Sequence, residues 1–412
     1  MLSYLIKDTK AHKMEKMEQQ IIDALNDFIS EIDSLIEVSE PINFISRKLL
    51  HDQVEKLKPE MVKFNNFVKN NNYKEAIKLS RKIQKIDKLV ERIKKSNDLS
   101  PKITIVSFII ILDYFLRELA RISYEINPAM INQSQRKLGF AEISDFDNIE
   151  DVRRYVIEDE LDSIFRGNHR DIFKSLEQIL SIDLKPEEFT WKKFIEITER
   201  RNLFVHCNGV VSNQYIRACR KYDVLDEKIK TGQMITADNK YLKECHGIIY
   251  EIGVTFSHKL LRKFCKDNLE ESDDYLIKLC YELLVEEKYD LAKKILKFSI
   301  EQKRHSSDYR KRMMIINLSI AYKFSSDDGN FKKTIDSVDW SSCADEFKLC
   351  VHALRGEYED AASVMRRVGA NHELVKEESY IEWPAFNEFR KTQIFLDAFE
   401  SVFGKQPTLE TR

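Results

Sequence analysis

Arg201, Asn202 and His206 are the residues of this chain best suited by type to do chemistry, and all three lie in the stretch Arg201-Asn-Leu-Phe-Val-His206. A guanidinium offers a planar fork of donors that matches the oxygens of a phosphate. An imidazole titrates near neutrality and can pass a proton in either direction. A carboxamide beside them can orient the imidazole or a sugar hydroxyl. The surrounding pattern predicts a helix over about 190–208, in which each residue advances roughly 100° around the axis. With Trp191 as origin, Phe194, Ile195, Thr198 and Val205 fall within about 60° of it, on an apolar arc. Lys192, Lys193, Glu196, Glu199 and Arg200 occupy the opposite arc and read as a solvated face. Arg201, Asn202 and His206 land roughly 80°, 20° and 60° from Trp191, on the packing side. An unpaired arginine facing a core costs on the order of several kcal/mol, so three polar groups converging there suggest a site. The same spacing also fits an Arg201 paired with a buried acid and a His206 that caps the helix end.

Spacing needs context. Arg367 and His372 are also separated by four residues, but Gly369 and Asn371 lie between them, and that stretch reads as a helix exit followed by a loop.

The whole stretch, Glu199-Arg-Arg-Asn-Leu-Phe-Val-His-Cys-Asn-Gly-Val-Val-Ser-Asn-Gln-Tyr215, resembles the signature of HEPN domains, a helical family of nucleotide-binding proteins and ribonucleases. Arg201, Asn202, His206, Gly209 and Tyr215 match that pattern position by position. The motif spans fewer than about twenty residues, and the likeness extends loosely over 101–265. It implies metal-independent RNA cleavage, a homodimer, no cofactor, and a toxin or antiphage (abortive-infection) setting. His206 would then be the general acid or base, Arg201 the phosphate clamp and Asn202 an orienting group, with Glu199, Gly209 and Tyr215 in support. Arg201 and His206 diverge by roughly 140° on one helix, so a two-fold dimer setting one Arg–His pair against another builds a more complete cleft. A catalytically silent relative that binds nucleotide or a partner protein is the other reading.

The elements that must position these groups are helical. Only 10 glycines and 7 prolines occur in 412 residues, which disfavours β-sandwiches and Gly-rich phosphate loops and predicts an all-α protein. No Gly-x-x-x-x-Gly-Lys-Ser/Thr, His-Glu-x-x-His or Gly-x-Ser-x-Gly motif is present. Apart from His246 beside Cys245, which lacks a second pair, the histidines and cysteines show no metal-ligand spacing, so no metal is expected. The net charge is −2, so an RNA partner must be held by a local basic patch. Seven cysteines lie singly between Cys207 and Cys350, as suits reduced cytoplasmic thiols. The apolar run at the N-terminus is too short for a signal peptide, and 103–112 is too short to span a bilayer.

Three regions follow. Residues 1–100 carry charged helical patterns over 15–36, 46–70 and 73–95, interrupted at Pro41 and at Asn70-Asn-Asn72. The third is rich in lysine and arginine, and could contact RNA phosphates or form a solvated face. Pro101 opens the nuclease-like region, 101–265. Asp113 interrupts its densest apolar run and is a candidate partner for Arg201. Arg166, His169 and Arg200 are candidate substrate contacts, although 166–171 also fits a plain polar turn. Residues 266–412 read as helical hairpins resembling tetratricopeptide repeats, a place for a protein partner more than for catalysis.

Overall fold

The computed structural model describes residues 2–133, 138–266, 268–372 and 375–408, with side chains from Glu15 onward. Among them are sixteen α-helices, three short 3-10 turns and no strand; one isolated antiparallel bridge joins Val210 to Met234. The protein is all-α. No helix among the described residues is long and apolar enough to cross a membrane.

Two compact units emerge, Met1–Lys259 and Leu260–Arg412. The first contains α1 (Leu2–Lys69), α2 (Tyr73–Ile126), α3 (Phe140–Ser144), α4 (Ile149–Phe165), α5 (His169–Leu180), α6 (Glu188–His206), α7 (Asn213–Lys221) and most of α8 (Asn239–Phe264). The expected interruptions at Pro41 and Pro101 do not occur: α1 runs through Pro41 and Pro59, and α2 through Pro101. A proline inside a helix removes one backbone bond, and here packing along two long helices outweighs that loss. The composition change at Pro101 therefore marks a change of surroundings along one helix, from a two-helix hairpin to a buried core. Asn71, at φ 56°, and the Asn72 cap turn the chain between α1 and α2.

The hairpin seam has heptad spacing. On α1 the half-buried positions include Ser46, Leu50, Gln53, Leu57, Glu60, Phe64 and Phe67; on α2 they include Leu79, Ile83, Ile86, Ile93 and Asn97, with Ala76 and Val90 buried. Such 3-4 alternation is the seam of an antiparallel coiled coil. Beyond it α2 enters the core through Phe108, Ile109, Leu112, Phe115, Leu116 and Leu119. Phe28 of α1 stacks on Phe115 with ring centroids 4.3 Å apart. Asp33 meets His246 at 2.5 Å and Glu40 meets Lys243 at 3.0 Å, tying α1 to α8.

Phe28 also packs against Gly253 of α8, where an added Cβ would come within 2.2 Å of the ring. Gly253→Ala should therefore destabilise the first unit by up to about 2 kcal/mol, because overpacking of about 1–3 kcal/mol is only partly offset by a helix-propensity gain of roughly 1 kcal/mol. A lowered urea midpoint is the expected reading; an unchanged or raised one contradicts this packing.

The second unit contains α9 (Glu270–Val285), α10 (Tyr289–Ile300), α11 (Asp308–Phe324), α12 (Asp328–Ile335), α13 (Asp345–Arg355), α14 (Tyr358–Val368), α15 (Glu377–Glu382) and α16 (Gln393–Phe403). Its first six helices form three hairpins with one turn design. Glu287, Ser326 and Gly356 all have positive φ. The next N–H bonds back to the preceding helix each time: Lys288 to Leu283, Asp327 to Tyr322 and Glu357 to His352, at 2.8–3.0 Å. That paired capping is the Schellman pattern.

Candidate functional site

Helix α6 carries the Arg201 motif and is covered on more sides than its sequence suggests. Glu196 and Glu199 are buried and Arg200 half-buried, where a solvated face was expected. The cover comes from α7, from the segment around Thr236 and from the start of α8. Glu196 accepts from the Tyr215 and Tyr241 hydroxyls, both at 2.6 Å, and from Arg200 Nε at 2.7 Å. Arg200 also donates to the Thr236 carbonyl at 3.3 Å and lies 4.0 Å from the centre of the Tyr241 ring. Every strong group in this node has a partner. Burial, and then the Glu196 carboxylate, push the Tyr215 and Tyr241 hydroxyls well above their ordinary pKa and the Cys219 thiol up to about 12. Arg200 is thus an internal residue rather than a free substrate contact, and Tyr215 anchors α7 to α6.

The other flank is different. Arg201 is half-buried, and its one hydrogen bond among the described residues runs from Nη1 to Asn202 Oδ1 at 3.2 Å. Its Nε is buried with no partner. Asn202 lies beside Glu199, whose pKa is raised by burial and drawn back by the charges of Arg170 and His169 and by that amide. Asp113 does not pair with Arg201. It meets His169 Nε2 at 2.9 Å, with His169 packed edge-on against Phe194. Arg170 adjoins the Tyr222 ring at 5.7 Å. The Asn168 cap starts α5 and so sets both His169 and Arg170 on its first turn. Arg166, at the end of α4, is exposed and stands apart from this network. A connected polar set results: Arg201, Asn202 and Glu199, with Arg170 and the Asp113–His169 pair within electrostatic reach of Glu199.

His206 is the last residue of α6 and is exposed, as is Val205, which the helical count had placed on the packing side. The chain then turns sharply. Asn208 has φ 50° and Gly209 φ 87°, and the Leu203 carbonyl accepts from both Cys207 and Gly209. A Cβ at Gly209 would stand 3.0 Å from the Ile235 carbonyl and 3.4 Å from Lys102 Nζ, so this motif position needs glycine for conformation and for space. Lys102 is nearly buried and donates to the Asn208 carbonyl at 3.1 Å. Sequence reasoning passed it over; its one signal was a lone cation entering an apolar run.

Glu199 supplies a pH test. Its folded pKa lies above the unfolded one, so its ionisation opposes folding: the protonated form is favoured at low pH, and stability is lost as pH rises through the folded pKa. Glu199→Gln should unfold at higher urea than wild type at pH 8, and the gap should close towards pH 4. A gap that widens on acidification would reverse the sign assigned to this group.

One trio with the ligand geometry for a metal occurs among the described residues, His352, Glu357 and Asp360, at the turn between α13 and α14. His352 bonds Glu357 at 2.6 Å, and both acids lie at the start of α14, where they also suit the helix dipole. No family model, curated protein or solved structure matches this chain.

Proposed function

We propose that this chain is an endoribonuclease of the HEPN type that cuts RNA by attack of a ribose 2′-hydroxyl on the adjacent phosphorus. One contrast carries the reading. Two consecutive arginines on α6 are treated oppositely: Arg200 is paired with Glu196 and the Thr236 carbonyl, whereas Arg201 keeps a buried, unpartnered Nε. A buried donor without an acceptor is costly, and the half-buried guanidinium that carries it has further donors for an anion supplied by a ligand. Phosphate fits its fork.

In the proposed reaction His206 moves the protons. A base removes the 2′-hydroxyl proton, the 2′-oxygen bonds to phosphorus, the bond to the 5′-oxygen breaks, and that oxygen takes up a proton. The products are a 2′,3′-cyclic phosphate and a 5′-hydroxyl. Arg201 offsets the extra negative charge on the phosphorane, and Glu199 holds Asn202 in place. Because Arg201 and His206 point away from each other on α6, a homodimer that brings two motifs together is the assembly we propose. Expression should arrest bacterial growth, and His206→Ala should relieve the arrest. Purified wild-type protein should degrade mixed RNA in EDTA, and equal degradation by His206→Ala would move the chemistry elsewhere.

A further inference from the structure

We infer that the outer face of α2 is a track for single-stranded RNA that leads to the end of α6. Lys74, Lys78, Arg81, Lys85, Lys88, Arg92 and Lys95 recur at alternating intervals of four and three residues. On a helix they share an arc of about 100°. The seam that packs on α1, from Ala76 to Asn97, has the same spacing on the opposite side. All seven cations are exposed, and no acid falls within their arc. A merely solvated face would mix the two signs. Only Lys78 has an ion-pair partner, Glu75 at 2.8 Å; the other six have none among the described residues.

The bias extends to the hairpin as a whole. Residues 46–98 hold fifteen lysines and arginines against seven acids, a net charge of +8 in a chain whose total is −2. Seven residues beyond Lys95 the same repeat places Lys102, which is buried and bonds Asn208, two residues past His206, so the exposed arc ends beside the close of α6. From Lys74 to Lys102 the rod covers about 42 Å. The favoured partner is therefore a long polyanion whose strand ends at α6. An anionic membrane fits less well: between Lys74 and Lys95 the arc has one apolar side chain, Ile77, although Val62, Val68 and Tyr73 are exposed near the turn.

This inference rests on the ribonuclease reading of α6, and the test separates the two. Binding of a 20-nucleotide single-stranded RNA is measured in EDTA on full-length protein with His206→Ala, which prevents turnover. It is repeated with Arg81, Lys85, Lys88, Arg92 and Lys95 all changed to Gln, a residue that keeps helix propensity. Each phosphate contact contributes roughly −0.7 to the slope of log K against log salt for single strands. The five changes should weaken binding on the order of 100-fold at low salt and flatten that slope by about 3. A control with Lys56, Lys58, Lys63, Lys82 and Lys94 changed to Gln removes the same charge outside the arc and should retain most of the affinity. With His206 intact, the track variant should show a raised KM for the 20-mer and unchanged cleavage of a dinucleotide. Equal loss in the control, unaltered binding by the track variant, or binding to phosphatidylserine vesicles but not to RNA overturns the track. If RNA binding depends on the arc but nothing is cleaved, the track stands and the ribonuclease reading falls. If RNA is cleaved regardless of the arc, the reverse holds.

Discussion

On the proposed ribonuclease reading, replacing His206 with alanine should lower kcat for RNA cleavage by about 10²–10⁴, the usual range for removing a positioned proton-transfer group. His206 is exposed and its helix is held by residues further back, so folding and urea midpoint should stay close to wild type. Arg201→Ala should cost about 10²–10³, as expected for a lost donor to developing charge, and Arg201→Lys should recover little, because an ammonium cannot reproduce the two-pronged contact. Arg201→Ala should also leave stability unchanged or slightly raised, since it removes a buried, unpartnered Nε. Kinetic loss without loss of stability marks Arg201 as a functional group; a large drop in urea midpoint would mark it as structural.

The neighbouring arginine should behave in the opposite way. Arg200→Ala strands the Glu196 carboxylate in the interior with only two tyrosine hydroxyls for company. Breaking a buried ion pair from one side costs about 3–5 kcal/mol. Glu196→Gln combined with Arg200→Met removes both charges and should regain most of that loss. Unfolding followed by Tyr fluorescence in urea reads the difference directly. If the double variant is no more stable than Arg200→Ala, the buried pair is not the reason for the loss. Adjacent arginines on one helix would thus separate into one that holds the fold and one that holds the ligand.

The extent of α6 was legible in the sequence, because periodic apolar residues are a local signal. The sides of α6 were less so. Glu196, Glu199 and Arg200 have the residue types of a solvated face, and nothing near them in the chain announces that Tyr215 and Tyr241 arrive to satisfy them. Val205 went the other way: it has an apolar type, but the helix end it occupies is exposed. The Asp113–His169 contact joins residues far apart in sequence, and a pairing of that kind has no periodic trace. Pro41 and Pro101 looked like boundaries because proline disfavours helix locally, yet long-range packing decided the matter. The basic positions of α2 were visible as a run of charge. Their arrangement as one stripe became clear only when the opposite side proved to be the coiled-coil seam.

End-group analysis of RNA cut by the purified protein in EDTA tests the central claim most directly. Cleavage by 2′-hydroxyl attack predicts fragments ending in 2′,3′-cyclic phosphate and beginning with 5′-hydroxyl, and no cutting of an RNA whose 2′-hydroxyls are methylated. Fragments carrying 5′-phosphate and 3′-hydroxyl, or cutting of the methylated RNA, would contradict it.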